Sequence, residues 1–281
     1  MTRSDILIAA IELADLIASG QPVSVLDVRW ELAEPDGRDA HSRGHVPGAV
    51  YVSLDEELSD HGVTGRGRHP LPSGAALEAA ARRWGLRQGV PVVVYDDWNR
   101  AGSARAWWVL TAAGIPDVRI LDGGLSAWTV SGGDLETGSV TTEPGDVTVK
   151  FPDLYRGALP TLTADEVSGF QGALLDARAP ERFRGETEPV DTVAGHIPGA
   201  RNAPSGAALT ADGTFLPVAD LTQFFRECGA ADGEVGVYCG SGVTATVTIA
   251  ALRAAGVEAK LFPGSWSQWS SEPERPVATG D

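Results

Sequence analysis

The sequence is poor in cysteine and in basic residues. It holds two cysteines, Cys228 and Cys239, in 281 residues, so no disulfide framework can be built and a reducing compartment is favoured. Only 22 basic residues stand against 38 acidic ones, for a net charge of −16. We therefore expect no binding to nucleic acid or to an anionic membrane surface. If the substrate is an anion, a few arginines and backbone amides must attract it locally.

Long apolar runs and metal-ligand patterns are missing as well. The apolar stretch within residues 1–20 is interrupted at helical spacing by Asp5, Glu12 and Asp15. It predicts one amphipathic helix over Arg3–Ser19 rather than a signal peptide. No other run is long enough to cross a bilayer. The five histidines are scattered and zinc-type cysteine pairs are absent, so no metal is expected. The cytoplasm is the expected location.

What the sequence does contain is an internal repeat. Four segments of the first half recur in the same order in the second, at an offset of about 140 to 150 residues. The matched pairs are Asp27–Arg29 with Asp176–Arg178, Gly44–Ala49 with Gly195–Ala200, Val92–Asp96 with Val235–Cys239, and Leu121–Trp128 with Leu261–Trp269. A chain of this length can hold two domains of ordinary size. We expect domains over residues 1–135 and 160–281, joined by a linker over residues 136–159.

Each copy alternates short apolar runs with helical patterns. This order predicts an α/β fold in which each of two tandem domains is a parallel sheet flanked by helices. The predicted helices include Gly74–Trp84, Ser103–Ala113, Thr163–Gly169, Val218–Cys228 and Ala245–Ala255, and the predicted strands include Val50–Leu54, Val92–Tyr95, Val118–Leu121, Val235–Tyr238 and Ala259–Phe262. Ligands bind beyond the carboxyl ends of the strands in such sheets. His45 and His196 recur at matching positions, and we expect both to be structural.

Cys239 lies where a buried strand passes into a helix. Val235–Tyr238 predicts the strand, and Gly240 and Gly242 let the following loop curl so that several N–H groups can point at one place. The N-terminus of the next helix adds partial positive charge. Both features stabilise a thiolate, the nucleophilic form of cysteine. The first copy carries Asp96 at the matching position, and a carboxylate cannot do thiol chemistry. We therefore expect only the second copy to be catalytic.

The repeated segments resemble those of the tandem rhodanese family, and the resemblance covers nearly the whole chain. The loop from Cys239 to Thr244, with the sequence Cys-Gly-Ser-Gly-Val-Thr, is similar to that of the 3-mercaptopyruvate sulfurtransferases in this family. Thiosulfate-preferring rhodaneses generally carry basic residues just after the cysteine. The resemblance implies a sulfurtransferase without a cofactor. Cys239 would take sulfur from a small anionic donor, hold it as a persulfide, and pass it to cyanide or to a thiol such as that of thioredoxin.

The resemblance also implies a Ser–His–Asp relay beside the cysteine, in the manner of a hydrolase triad. Ser241 matches the serine by its place in the loop. His69, in the segment His-Pro-Leu-Pro, matches the histidine, and Asp55, seven residues after Gly48, matches the aspartate. Because His69 and Asp55 belong to the first copy, the site would span the interface between the domains.

Substrate binding is implied for one arginine and for the cysteine loop. Arg182 matches a carboxylate-binding arginine, and arginine can hold a carboxylate through two parallel hydrogen bonds. The loop residues expected to surround the substrate are Gly240, Gly242, Val243 and Thr244.

One position departs from the family pattern. Many mercaptopyruvate enzymes have a second arginine after the Glu-Pro that follows Arg182, and here Val190 stands there. Arg100, Arg105 or Arg201 are candidates to replace it. Thiosulfate is therefore the alternative donor.

Two alternatives come from other functional classes. A cysteine-dependent phosphatase needs the pattern Cys-x5-Arg to clamp phosphate oxygens, and Ala245 stands at the arginine position. Phosphatase chemistry is therefore disfavoured. A non-catalytic rhodanese module used for binding is the further alternative, although such a module does not need the thiol of Cys239.

Overall fold

Two parallel β-sheets, one in each half of the chain, form the framework of the protein. The computed structural model describes residues 2–231 and 233–281. The strands are β1 (Leu7–Ile8), β2 (Ser24–Asp27), β3 (Val50–Tyr51), β4 (Val92–Tyr95), β5 (Val118–Leu121), β6 (Ala173–Asp176), β7 (Arg201–Asn202), β8 (Val235–Tyr238) and β9 (Lys260–Leu261). The first sheet has the order β1-β5-β4-β2-β3 and the second the order β7-β6-β8-β9, and these strands pair in parallel. The expected α/β fold is confirmed.

Helices connect the strands and flank both sheets. They are α1 (Arg3–Ile6), α2 (Ala10–Ala18), α3 (Arg38–Arg43), α4 (Leu54–Glu57), α5 (Gly74–Arg83), α6 (Ala101–Ala112), α7 (Gly124–Val130), α8 (Ala164–Ser168), α9 (Pro180–Phe183), α10 (Val218–Glu227), α11 (Ala245–Ala254) and α12 (Ser265–Trp269). Within the part of the chain that the structure describes, no helix has the length and apolar character needed to cross a membrane.

The two halves share an apolar core built from α6 and α11. These helices follow the inner strands β4 and β8 and pack against each other. Nearly every residue of both is buried, as expected for helices that are apolar on all sides. Trp107 and Trp108 of α6 lie in the same core cluster as Val247 and Ile249 of α11. Apolar packing therefore fixes how the two halves meet.

The prediction of one N-terminal helix over Arg3–Ser19 is wrong. The segment divides into α1, β1 and α2, and β1 forms the edge of the first sheet with Leu7 opposite Ile120 and Ile8 opposite Leu121. Ile6, Leu7 and Ile8 are all buried. Three consecutive apolar residues bury better in a strand covered on both faces than on a helix with one exposed side.

The predicted strand Val50–Leu54 is too long. β3 ends at Tyr51, and Ser53 caps α4 by accepting a hydrogen bond from the Glu56 N–H at 3.2 Å. A serine oxygen satisfies one of the free N–H groups at a helix start. This early start of α4 places Asp55 in the first turn of the helix.

Residues 136–159 lie along the first half of the chain. Glu136 forms an antiparallel backbone bridge with His45, and Asp153 forms one with Ser73. Leu154 is fully buried. The segment is therefore a packed connection.

Candidate active site

A cleft of about 450 Å³ lies between the two halves, at the carboxyl end of β8. The first half lines it with Trp30, Arg68 and Trp98, and the second with Arg182, Ser205 and Cys239, among others. Of the predicted loop residues, Gly240, Ser241, Val243 and Thr244 also line the cleft. Concave sites of this size at the ends of parallel strands suit small ligands.

Cys239 lines this cleft, and the residue is 1% exposed. Its Sγ accepts a hydrogen bond from the Gly242 N–H at 3.1 Å. Gly242 has a φ of 78°, and a Cβ there would collide with the Pro263 carbonyl oxygen, so the position requires glycine. α11 begins at Ala245 directly after the loop, which places the positive end of its dipole beside the sulfur loop. The Gly242 N–H and the first turn of α11 therefore lie on the same side of this sulfur.

Ser241, His69 and Asp55 form a continuous chain of contacts across the interface. His69 Nδ1 lies 2.8 Å from Ser241 Oγ, and His69 Nε2 lies 3.3 Å from Asp55 Oδ1. The Trp30 indole N–H also donates to Asp55 Oδ1, at 3.0 Å. The structure thus brings together Asp55, His69 and Ser241, which are far apart in the sequence. Trp30, which the sequence did not indicate, also contacts this group.

The environment keeps His69 neutral and Asp55 charged at neutral pH. Burial lowers the pKa of His69 below its ordinary value of 6.5, and the hydrogen bond to Asp55 opposes this effect only in part. The hydrogen bond from His69 in turn lowers the pKa of Asp55. A neutral imidazole that donates from Nε2 to Asp55 has a free lone pair on Nδ1. That lone pair can accept the hydroxyl proton of Ser241.

Two arginines from opposite halves meet over the cysteine loop. Arg182 pairs with Glu188 at 2.6 Å, and Arg68 pairs with Asp191 at 2.6 Å. A Cβ built on Gly240 would lie 3.5 Å from a guanidinium nitrogen of each arginine. Arg182 and Arg68 therefore both lie beside the residue that follows Cys239.

The chain carries the signature of a known family twice. The family described as "Rhodanese-like domain" matches residues 9–131 and residues 162–272. The chain belongs to the rhodanese family. Each sheet with its helices is therefore one rhodanese domain, and the cleft lies between the two.

Relatives of this rhodanese span nearly its full length. A Mycobacterium tuberculosis protein with the provisional name thiosulfate sulfurtransferase SseB is 63% identical over 279 residues, which cover 99% of this chain and 98% of the relative. A Pseudomonas aeruginosa protein with the provisional name 3-mercaptopyruvate sulfurtransferase is 47% identical over 266 residues, 92% of each chain. The crystal structure of SseA from Escherichia coli, described as a 3-mercaptopyruvate sulfotransferase, matches with a TM-score of 0.81 and 31% identity and covers 95% of this chain and 100% of its own.

The three arginines that were candidates to replace the one missing at Val190 do not line the cleft. Arg100 is buried and pairs with Asp96 at 2.9 Å. Arg201 lies on β7, against Gly229. Arg105 is fully buried in α6. Arg100 and Arg105 are buried inside the first rhodanese domain, and Arg201 is exposed on the edge strand of the second sheet, so none of the three replaces the missing arginine in the cleft.

Arg105 has a different place in the site. Its guanidinium donates to the carbonyl oxygen of Gly242 at 3.1 Å, of His69 at 3.0 Å and of Leu58 at 3.0 Å. Burial lowers the pKa of this guanidinium to about 10, so it stays charged at neutral pH. Arg105 therefore ties the cysteine loop of one rhodanese domain to the histidine segment of the other. It is the one charged residue in the sequence of α6. A single arginine in an otherwise uncharged helix is a sequence signal from which its importance could have been predicted.

Proposed function

We propose that this sulfurtransferase takes sulfur from 3-mercaptopyruvate, holds it as a persulfide on Cys239 and transfers it to a thiol or to cyanide. The observation that supports this donor best is the Ser241–His69–Asp55 chain, with its 2.8 Å contact between serine and histidine. A donor that leaves as a carbon anion needs a proton, and the relay can deliver one. Sulfite, which leaves from thiosulfate, needs none.

The first half-reaction breaks one carbon–sulfur bond and forms one sulfur–sulfur bond. The Cys239 thiolate attacks the donor sulfur, and the electron pair of the carbon–sulfur bond moves into the keto acid to give the enolate of pyruvate. The donor sulfur is oxidised to the sulfane level while the carbon is reduced, so no external oxidant is required. One proton then converts the enolate into pyruvate.

The relay moves that proton. Neutral His69 accepts a proton through Ser241 as the thiol of Cys239 or of the donor ionises, and Asp55 stabilises the imidazolium formed. The same chain returns the proton to the enolate. The Gly242 N–H, 3.1 Å from Sγ, helps to hold negative charge on the persulfide.

The second half-reaction returns the enzyme to its starting state. A thiolate or cyanide attacks the outer sulfur of the persulfide, and Cys239 leaves as a thiolate. Cysteines 228 and 239 are both free in the structure, and persulfide chemistry requires a reduced thiol. We propose a cytoplasmic setting for this reason. We also propose a division into a non-catalytic domain over residues 1–135, a linker over 136–159 and a catalytic domain over 160–281, because the family matches residues 9–131 and 162–272 separately and only the second match contains a cysteine at the end of its inner strand.

Thiosulfate is the second candidate donor. The name of the Mycobacterium tuberculosis relative, 63% identical to this chain, favours it. The cysteine loop carries no basic side chain between Cys239 and Thr244, which favours mercaptopyruvate instead.

The variant Ser241→Ala separates the two donors. We expect kcat/KM for mercaptopyruvate to fall at least about hundredfold, because the relay loses its contact with the reacting groups, while thiosulfate turnover changes less than about threefold. Ser205→Ala, which alters another serine of the cleft, is the matched control. Equal slowing with both donors would contradict the relay, and a wild-type preference for thiosulfate would overturn the donor assignment.

A further inference from the structure

One part of the cleft lining has no role in the first half-reaction. Trp98, Leu32 and Glu31 line the cleft from the first rhodanese domain, in the loops that follow β4 and β2. Trp98 is 57% exposed and Leu32 is 49% exposed. Two exposed large apolar side chains beside a carboxylate form a surface that a ligand in the cleft can cover.

The backbone of Trp98 is fixed by the loop that holds Asp96 in place of a nucleophile. The Trp98 N–H donates to Asp96 Oδ1 at 3.2 Å, and the Trp98 carbonyl oxygen accepts from Arg100 Nη2 at 2.8 Å. Arg100 also pairs with Asp96 at 2.9 Å. The buried ion pair therefore presents the Trp98 ring from a rigid support, which lowers the cost of ordering this side chain when a ligand binds.

Glu31 differs from the other charged residues of the cleft. Within residues 2–231 and 233–281 it is the one acidic side chain of the lining, and the remaining charged residues there are Arg68, Arg178 and Arg182. Each of these arginines pairs with a carboxylate. The exposed Glu31 carboxylate has no ion-pair or hydrogen-bond partner in the same part of the chain. It is therefore available to a cation on a ligand.

We propose that Trp98 and Glu31 form the binding site for the sulfur acceptor, and that this site selects a small thiol that carries an ammonium group. The inference rests on the proposed function and specifies its acceptor. An ammonium group is attracted by the face of a tryptophan ring and by a carboxylate. The two arginines beside Gly240 repel it. An aminothiol with its sulfur at Cys239 would therefore direct its ammonium group toward Glu31.

The transfer to such an acceptor balances without an external oxidant. The acceptor thiol gives its proton to the outer sulfur of the Cys239 persulfide anion and attacks that sulfur as a thiolate. A new sulfur–sulfur bond forms to the acceptor, and the bond to Cys239 breaks with its electron pair on Cys239. The acceptor sulfur is oxidised and the Cys239 sulfur is reduced. The products are the acceptor persulfide and the Cys239 thiolate.

The experiment uses thiols of similar size and different charge. Cys239 is loaded with inorganic polysulfide, intact-protein mass spectrometry confirms the added sulfur, and the rate of its loss is measured with each thiol. Cysteamine carries a positive charge, 2-mercaptoethanol none and 3-mercaptopropionate a negative one. Rates are compared per thiolate, because the thiols ionise to different extents. The wild type should react about fivefold faster with cysteamine than with 2-mercaptoethanol.

Two substitutions test the two parts of the site. Glu31→Gln should lower the cysteamine rate about fivefold and raise the 3-mercaptopropionate rate, while the 2-mercaptoethanol rate changes less than about twofold. Trp98→Ala should lower the cysteamine rate about fivefold, and Trp98→Phe should recover part of the loss because a phenyl face also attracts cations. The matched control is Glu34→Gln, which alters an exposed carboxylate of the same loop that does not line the cleft. Melting temperatures check that the variants are folded.

Three outcomes would overturn the acceptor site. The first is an equal change with all the thiols in Glu31→Gln or Trp98→Ala, which would show a general effect on the cleft. The second is a wild-type preference for 3-mercaptopropionate, which would place the acceptor at the arginines. The third is transfer to a protein thiol, tested with reduced thioredoxin, but to none of the small thiols.

The same experiment separates this inference from the proposed function. Failure of both polysulfide and mercaptopyruvate to add sulfur to Cys239 would reject the proposed function and the acceptor site with it. Loading by polysulfide without turnover of mercaptopyruvate would reject the donor alone, and a cysteamine preference that depends on Glu31 and Trp98 would still support the acceptor site.

Discussion

The loops that follow β4 and β8 occupy matching places in their sheets and treat negative charge in opposite ways. In the first loop, Asp96 accepts hydrogen bonds from the Ser103 N–H at 3.0 Å and the Ser103 hydroxyl at 2.7 Å, and it pairs with Arg100 at 2.9 Å. In the second loop, Cys239 Sγ accepts from the Gly242 N–H at 3.1 Å and lines the cleft. The Asp96 carboxylate thus occupies the first loop, whereas the second loop faces the cleft with Cys239.

The two copies of this fold therefore have different parts in the proposed chemistry. The first domain has a closed, self-neutralised loop where a nucleophile would stand. In the proposed mechanism it contributes instead to the chemistry of its neighbour, through His69 and Asp55 in the relay and through Arg105 under the cysteine loop. The second domain contributes the sulfur and Ser241, so the proposed site needs both domains.

The largest effect is expected from Cys239→Ser. Sulfur transfer from every donor should fall about 10⁴-fold or more, because no persulfide can form on a hydroxyl. Intact-protein mass spectrometry after donor treatment should show one added sulfur on the wild type and none on the variant. The melting temperature serves as the control for folding.

The reverse substitution tests the comparison directly. Asp96→Cys in the Cys239→Ser background should not restore transfer, since Asp96 does not line the cleft. Sulfur transfer through a thiol at position 96 would contradict the view that only the second loop is open to a donor.

A smaller effect, on stability rather than on chemistry, is expected from Asp96→Ala. The free energy of unfolding should fall by about 3–5 kcal/mol, because the substitution leaves the buried guanidinium of Arg100 without its counter-ion. Urea denaturation measures this loss. Asp97→Ala is the matched control, since the Asp97 side chain is 37% exposed and lies 3.8 Å from Arg29. An unchanged unfolding midpoint in Asp96→Ala would argue against a self-neutralised first loop.

The smallest effect is expected from Asp55→Asn, and it includes a shift in the pH profile. Because burial lowers the pKa of His69 and only the neutral imidazole acts as a base, the acid limb of kcat/KM for mercaptopyruvate should lie below pH 6.5 in the wild type. Asp55 raises the pKa of His69, so its loss should move this limb to lower pH. The plateau should fall about tenfold.

The control for this profile is Glu56→Gln. Glu56 is the next residue of α4, and it pairs with the exposed Arg38 outside the cleft. Its pH profile should match that of the wild type. A limb that moves to higher pH in Asp55→Asn would contradict the charge assignment of the relay.

The sequence contains enough to locate the two sheets and the cysteine loop. β4, β5 and β8 are apolar runs whose boundaries coincide with the predicted strands Val92–Tyr95, Val118–Leu121 and Val235–Tyr238. Such short runs flanked by turn residues are strong local signals. Ser241, His69 and Asp55 could be named because the resemblance supplied their pattern.

Other parts of the site depend on contacts that no local pattern encodes. Arg68 and Arg182 meet only because the two domains dock, and their partner Asp191 carries no motif of its own. Arg105 was one of three candidates to replace the missing arginine, and its depth in α6 became evident only from the packing of α6 on α11. β1 was missed because its strand character depends on the edge of a sheet completed by β5, more than a hundred residues later.

The packing of α6 on α11 has a consequence for anyone who wishes to alter this enzyme. The apolar core that these helices share would be laid bare if the two halves were produced as separate proteins. An isolated half that carries the cysteine loop should therefore aggregate, whatever its catalytic residues. A redesign should keep both halves on one chain. Substitutions are best made among the exposed residues that line the cleft, such as Trp98, which is 57% exposed.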